Sequence, residues 1–315
     1  MLTSMLCDPM AGLSETGGVL AVTTGVEGSA YRPVGAAMAF LADGIRVGSL
    51  SSGCIEEALA LEADKAMAAK AFRQVRYGEG SAWIDIKLPC GAGLDVSLWP
   101  AAGEDVLTDS SHQYIDRQAY AVRLPKAGLE SASLEPLAAA GWSSEGFVLP
   151  RIPPLRLVVL GTGLETVIFT EIARGAGFDV DVASPDPLVG DALPQAAQLH
   201  TGTFPATMAI DNQTAVVLFF HEHDHEASLL PSALQSRAFW VGAQGSPKKR
   251  RLRAEELARS GLAPSTIDRL APRFGLIPSA RDPQTLAISV LADVVDAYKA
   301  AWFDPYFGQS TAAAR

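Results

Sequence analysis

The stretch LRLVVLGTGLETVIFTEIARGAGFDVDVASPD, residues 155–186, decides the fold. A short apolar run ends at Gly161-Thr162-Gly163, the helical segment ETVIFTEIARGAG follows, and FDVDVAS returns to a strand pattern. A strand that passes through a glycine turn into a helix and on to another strand is the β-α-β unit of a parallel sheet. Downstream, TAVVLFF and RAFWVGA continue the alternation, which predicts a Rossmann-like, doubly wound parallel sheet. Gly161 and Gly163 permit the tight turn and the approach of a phosphate to the helix N-terminus. The dinucleotide fingerprint then fades. Thr166 stands at its third small-residue position, Ser184 occupies the strand end where an acid would hold ribose hydroxyls, and Asp186 lies two positions beyond. The Rossmann-like fold follows, while NAD(P) or FAD is disfavoured as its ligand.

Working outward, Pro150, Pro153 and Pro154 precede this unit and read as a linker, with a boundary near residue 150. The expected domains are therefore 12–150 and 155–310. In the first, GGVLAVTTG, AAMAFLAD and IRVGSL read as strands, CIEEALALEADKAMAAK as a helix, and SAWIDIKLP, LDVSLWP and QAYAVRLP as strands again. The fold class is thus α/β, a mixed α/β N-terminal domain followed by the parallel-sheet domain. A chain of 315 residues with 48% hydrophobic and 19% charged residues has the composition of a globular protein. No apolar run reaches the roughly 18 residues that cross a bilayer, and no leader pattern precedes the first domain, so the expected setting is cytoplasmic and no membrane partner is expected. A net charge of −10 argues against nucleic acid as a partner. The three cysteines, Cys7, Cys54 and Cys90, are widely spaced and read as free thiols.

Cys54 sits in GSLSSGCIEEAL, residues 48–59, directly before a carboxylate-rich helix. If that helix begins near Gly53, its unpaired N–H groups favour the thiolate, with Ser51 or Ser52 as a cap and Glu56 completing a capping box. A small buried apolar residue is the alternative for Cys54. Cys90, in LPCGAGLDV, ends a strand beside glycines that let a ligand come close. In TGVEGSAYRPVGAAM, Gly25, Gly28, Ser29, Tyr31, Arg32 and Pro33 form a turn with free N–H groups, an aromatic face and a guanidinium, suited to an anionic or heteroaromatic ligand, although from these residues alone a glycine turn with a solvated arginine is the preferred reading. In the second domain, HEHDHE at 221–226 reads either as a metal-binding cluster or as a polar loop with one functional histidine, His221, and the second reading is preferred. In WVGAQGSPKKRRLRAEEL, Gly242, Gly245 and Ser246 offer a phosphate cradle near Lys248, Lys249 and Arg250, or else the basic run is a solvated helix face.

In order and spacing these motifs resemble one family, XdhC, the accessory proteins of xanthine dehydrogenase, and its relatives serving carbon monoxide dehydrogenase. The likeness runs through GGVLAVTTGVEGSAYRPVGAAM, GSLSSGCIEEAL, CGAGLDV, LVVLGTG, AVVLFFHEHDHEASLL, WVGAQGSPKKRRLRAEEL and SARDPQTLAISVLADVV, omitting about 101–154. Ser52, Ala92, Leu164 and Ser184 depart from its pattern. The resemblance implies a chaperone, not an enzyme, that binds the molybdenum cofactor, protects it during sulfuration by a cysteine desulfurase and inserts it into apo xanthine dehydrogenase or a related molybdoenzyme. It implies that Cys54, first, and Cys90 contact molybdenum or sulfur, and that Arg32, Gly53 and Glu56 shape that pocket. The loops at Gly161, Gly163, His221, Gly245 and Ser246 would form a second ligand surface. A homodimer is the expected assembly. The competing class is an NAD(P)-dependent oxidoreductase using the Rossmann-like half, with a metal-dependent hydrolase built on HEHDHE third.

Overall fold

The computed structural model describes residues 8–51, 53, 55–81, 93–199, 208–220 and 223–307. The chain forms two compact units, Met1–Pro153 together with Trp302–Arg315, and Pro154–Ala301.

In the first unit a short helix, α1 (Pro9–Thr16), is capped by Asp8, whose carboxylate accepts the Met10 N–H at 3.1 Å. It leads into β1 (Gly18–Glu27), followed by β2 (Ala37–Leu41), β3 (Arg46–Gly48), α2 (Glu56–Ala69), β4 (Arg73–Gly78) and β5 (Gly93–Ala101). These five strands form an antiparallel sheet in the order β3-β2-β1-β5-β4. Successive residues of β1 point to opposite faces, and both faces are covered. Val19 and Ala21 belong to a core with Leu59, Ala63 and Ala66 of α2, while Leu20 and Val22 pack in another with Met10, Leu13, Trp99 and Phe147. That second core is closed by α3 (Asp105–Ile115) and by a smaller antiparallel sheet of β6 (Tyr120–Leu124), β7 (Ser133–Glu135), β8 (Gly141–Trp142) and β9 (Phe147–Arg151), in the order β7-β6-β9-β8.

Pro150, expected in a linker, lies inside β9 opposite Ala121. The strand tolerates it because β8 pairs only with Phe147 and Val148, leaving Pro150 on an open edge where no N–H is needed. The strand β4 carries three charges or amides in six residues and gave no apolar signal. The strand expected in SAWIDIKLP falls, except for Ser81, outside the described residues.

The second unit holds β10 (Arg156–Gly161), α4 (Gly163–Gly175), β11 (Asp179–Ser184), α5 (Pro187–Ala192), β12 (Ala197–Gln198), β13 (Thr214–Phe219), α6 (His223–Gln235), β14 (Trp240–Ala243), α7 (Pro247–Arg259), α8 (Pro264–Ile267) and α9 (Pro283–Tyr298). Its five strands are all parallel, in the order β12-β11-β10-β13-β14, the doubly wound sheet predicted. Leu157 and Val159 of β10 face a core with Phe169 of α4 and Val290 and Val294 of α9. Val158 and Leu160 face the other core, with Leu229, Leu230 and Leu257 of α6 and α7. Beyond Ala301 the chain belongs to the first unit, where the Ala140 N–H donates to the Tyr306 carbonyl at 2.7 Å.

Candidate functional site

Strand register brings the N-terminal motifs to one end of the antiparallel sheet. β1 and β3 run in the same direction, so the turn 28–36 and the loop 49–55 leave the sheet on the same side. β5 enters there too, because Gly93 lies opposite Glu27 of β1 and opposite Gly78 of β4. Three stretches far apart in sequence, those holding Arg32, Gly53 and Gly93, therefore share one edge. Cys54 and Cys90 lie outside the described residues; their neighbours Gly53, Ile55 and Gly93 are among them.

The loop 49–55 is organised by Glu56. Helix α2 begins at Glu56 with Ile55 in the cap position and no side-chain cap, three residues later than expected, so the predicted capping box does not form. The Glu56 carboxylate instead turns back and accepts the N–H of Ser51 at 2.8 Å, the N–H of Ile55 at 3.2 Å, the Ser49 hydroxyl at 3.3 Å and the Ser51 hydroxyl. Ser51 Oγ in turn accepts the Gly53 N–H at 3.2 Å. Glu56 is only 9% exposed. Burial raises its proton affinity, yet the Ser51 and Ile55 donors outweigh burial and hold the carboxyl below the usual glutamate range. Gly53 has φ 95°, a left-handed conformation that glycine adopts without strain, and open space around its Cα.

The turn 28–36 is pinned at its base and open at its tip. The Gly35 N–H donates to Thr23 O at 2.8 Å and the Thr23 N–H to Ala36 O at 2.9 Å. A side chain at Gly35 would touch Phe307 and Ala140 at 3.1 Å, so the C-terminal aromatic segment buttresses this turn. Tyr31, 71% exposed, carries the Arg32 guanidinium over its ring at 5.4 Å. Among the described residues Arg32 makes no hydrogen bond or ion pair, which leaves its fork of donors available to an anion. At the same end of the sheet, Arg76 joins three strands. It pairs with Asp95 at 3.0 and 3.1 Å and with Glu27, and donates to Glu79 O at 2.8 Å. Side chains at Gly93 or Gly25 would strike Arg76 or Asp95, so these glycines make room for the network.

At the carboxyl end of the parallel sheet, the expected phosphate cradle is filled. The Gly163 N–H donates to Asp186 Oδ2 at 3.0 Å, and the buried Ser184 hydroxyl donates to the Gly161 carbonyl at 2.7 Å. Gly161 faces the neighbouring strand, where a side chain would meet Phe219 O at 2.6 Å. Asp186, placed beyond the ribose position by its spacing, thus reaches the turn itself and takes the Gly163 N–H that was expected to face a phosphate. Gly245 and Ser246 are exposed, and Ser246 Oγ caps α7 by accepting the Lys249 N–H at 3.2 Å. Gly242 lies in β14 under the Trp240 ring and takes no part in a cradle.

The basic run is not a uniformly solvated face. Arg253, 3% exposed, makes a two-pronged pair with Glu226, one bond at 2.8 Å. Arg250 donates to Ala271 O at 2.6 Å and Lys249 to Phe220 O at 3.4 Å. Glu226 of HEHDHE is therefore committed to an ion pair, and His225 stacks on Phe220 with ring centroids 5.7 Å apart. His221 lies outside the described residues, among which no group of three or more His, Cys, Asp or Glu could hold a metal.

Comparison with known proteins places this architecture. Residues 157–294 match the XdhC Rossmann domain, and residues 14–78 match the XdhC and CoxI family. The chain is 32% identical over 282 residues to the molybdenum cofactor insertion chaperone PaoD of Escherichia coli, covering 90% of this chain and 84% of that protein. The chain belongs to the XdhC family. A second relative, from Bacillus subtilis and named as a probable xanthine dehydrogenase subunit, is 25% identical over 316 residues, 89% of this chain and 93% of that one. A solved structure described as a xanthine dehydrogenase of Bacillus halodurans shares the fold, with a TM-score of 0.70 at 24% identity, covering 93% of this chain and 95% of the other.

Within the XdhC framework, two features carry no motif that singles them out in the sequence. The Arg76–Asp95 pair is a cross-strand contact, visible only once β4 is recognised and registered on β5. Asp186 acts across 23 residues through a turn whose geometry no local pattern reveals.

Proposed function

We propose that this chain is a molybdenum cofactor chaperone, an accessory protein without turnover of its own, whose cargo binds at the loop end of the antiparallel sheet. The observation that carries this reading is the convergence of the Arg32 turn, the Glu56-braced loop that bears Cys54, and the start of β5 that follows Cys90. The chemistry of the donor set fits the cargo. Thiolates at Cys54 and Cys90 are soft ligands for molybdenum or for the sulfur it receives. The uncommitted Arg32 guanidinium suits the phosphate of the pterin, and Tyr31 offers an aromatic face beside it. Glu56 serves as the brace that fixes the backbone on both sides of Cys54, and Gly53 supplies the left-handed bend. Gly245 and Ser246 remain the part of the second ligand surface still open to an anion.

In this reading the chain shields the cargo while a cysteine desulfurase exchanges its terminal oxo ligand for sulfur, then delivers it to apo xanthine dehydrogenase or a related molybdoenzyme. A homodimer in the cytoplasm is the working form. No helix among the described residues is long and apolar enough to cross a membrane. The support is the name and 32% identity of PaoD over most of both chains, together with the loop convergence.

The test is retention of molybdenum after the purified chain is mixed with the cofactor and desalted, beside Cys54→Ala, Cys90→Ala and Arg32→Ala. Near-stoichiometric retention that collapses for Cys54→Ala is expected. Equal retention by all four proteins would move the cargo elsewhere, and none by any of them would end the chaperone reading.

A further inference from the structure

The first turn of the parallel domain has the form of a phosphate site and is occupied by the chain itself. Gly163, with φ 73°, opens helix α4, whose first N–H groups have no partner within the helix. An incoming pyrophosphate would take those groups. Here Asp186 takes one instead. Its Oδ2 accepts the Gly163 N–H at 3.0 Å while Oδ1 accepts the Leu188 N–H at 3.0 Å and caps α5. Its own N–H donates to Ser184 Oγ at 3.0 Å, and that hydroxyl is tied to the Gly161 carbonyl. Two of these hydrogen bonds lace the turn after β10 to the turn after β11, and the other two stiffen the second turn, across the crevice where a dinucleotide's ribose and pyrophosphate would lie.

The surroundings have the same sense. Glu165 places a second carboxylate in the first turn of α4, its Oε2 3.4 Å from where a side chain on Gly163 would begin. Leu164 and Leu188, 56% and 74% exposed, flank the turn where donors to a phosphate would be useful. A carboxylate at a helix N-terminus satisfies the positive dipole end that would otherwise attract an anion, and a second one repels it.

We propose that Asp186 is a specificity-determining residue, an internal stand-in for phosphate that bars phosphorylated nucleotides from the Rossmann-like domain. A domain whose fold offers a nucleotide turn is thereby kept from taking the abundant dinucleotides of the cell. The inference rests on the second unit alone and stands apart from the cargo reading, whose own failure is read from molybdenum retention.

The experiment is calorimetric titration of the full chain with inorganic pyrophosphate and with NADH, wild type beside Asp186→Asn and Asp186→Ala, each checked for folding by circular dichroism. Asn removes the charge and keeps an acceptor for the α5 cap, so it carries the test if the alanine variant is unstable. The wild type should not saturate with either ligand at about 1 mM, and Asp186→Asn should bind pyrophosphate about fivefold tighter or more, the factor expected from removing one like charge at a helix terminus. The gain should survive addition of Lys248→Ala, which removes the cation nearest the Ser246 loop in sequence. Saturable NADH binding by the wild type would overturn the proposal. So would folded Asp186 variants that bind no better, or a gain abolished by Lys248→Ala.

Discussion

Replacing Glu56 by alanine should loosen the loop around Cys54 and cost stability. The Ser51 N–H at 2.8 Å and the Ser51 hydroxyl lose their acceptor, and the Ile55 N–H at 3.2 Å and the Ser49 hydroxyl at 3.3 Å keep only their second acceptors, Ser51 Oγ and Ser51 O. A hydrogen bond to a charged group contributes about 1.5–3 kcal/mol net, but the contributions are not additive and water can enter where Glu56 is 9% exposed. Relief from burying a carboxylate offsets part of the loss. The expected net cost is about 3 kcal/mol for Glu56→Ala and about half that for Glu56→Gln, which keeps one acceptor oxygen. In a domain of roughly 150–250 residues, 3 kcal/mol lowers Tm by about 6–12 °C. Differential scanning calorimetry gives the shift, and urea unfolding followed by circular dichroism gives the free energy. Molybdenum retention should fall in the same variants at a temperature where both remain folded. A loss below about 0.5 kcal/mol, the range of an ordinary surface substitution, would refute the brace.

The other predictions concern charge and exposure. Glu226→Ala should destabilise the second unit by about 3–5 kcal/mol in urea titration, because it strands the buried Arg253, whereas replacing both partners with leucine should cost far less. Burial opposes ionisation of Glu62, but its bonds to Lys65 and Arg73 prevail and depress its carboxyl below the ordinary 4.5. Its contribution is therefore present above that value and lost as pH falls through the lower, folded-state one, so Glu62→Gln should flatten the fall of Tm as pH drops below the ordinary 4.5. Arg32→Ala should leave stability within about 0.5 kcal/mol of wild type, since the side chain is exposed and bonds to no described residue, yet it should weaken cargo retention.

The parallel domain was legible because its signals are local. Apolar strands, a glycine turn and helical spacing occur in chain order in 155–186, and the strand pairing follows from them. The strands β1, β2, β3 and β5 were legible for the same reason, whereas β4 was hidden by charges that are paired, Arg76 with Asp95 across the sheet and Arg73 with Glu62 of α2. Pro150 misled because a proline marks a linker in sequence but is also at home on an open strand edge. The site was harder. Glu56 was recognised as bonding near the helix start, but its direction depends on where α2 begins, and that depends on how the loop packs. The basic run KKRRLR suggested a phosphate or a solvated face, because sequence cannot display the buried acid, Glu226, that one of its arginines meets. Counting along the strand puts Asp186 two positions beyond the ribose-binding strand end, whereas the turn after β11 folds it back onto Gly163.

Delivery of cargo is measured by activation of a recipient. The purified chain is loaded with molybdenum cofactor, freed of excess by desalting, and mixed in increasing amounts with apo xanthine dehydrogenase or a related molybdoenzyme while substrate oxidation is followed. Activity should rise linearly with the loaded chain and level off at one cofactor per apo site, with Cys54→Ala inactive as a donor. Activity that rises equally with free cofactor at the same molybdenum concentration, or not at all with the loaded chain, would contradict delivery by this chain.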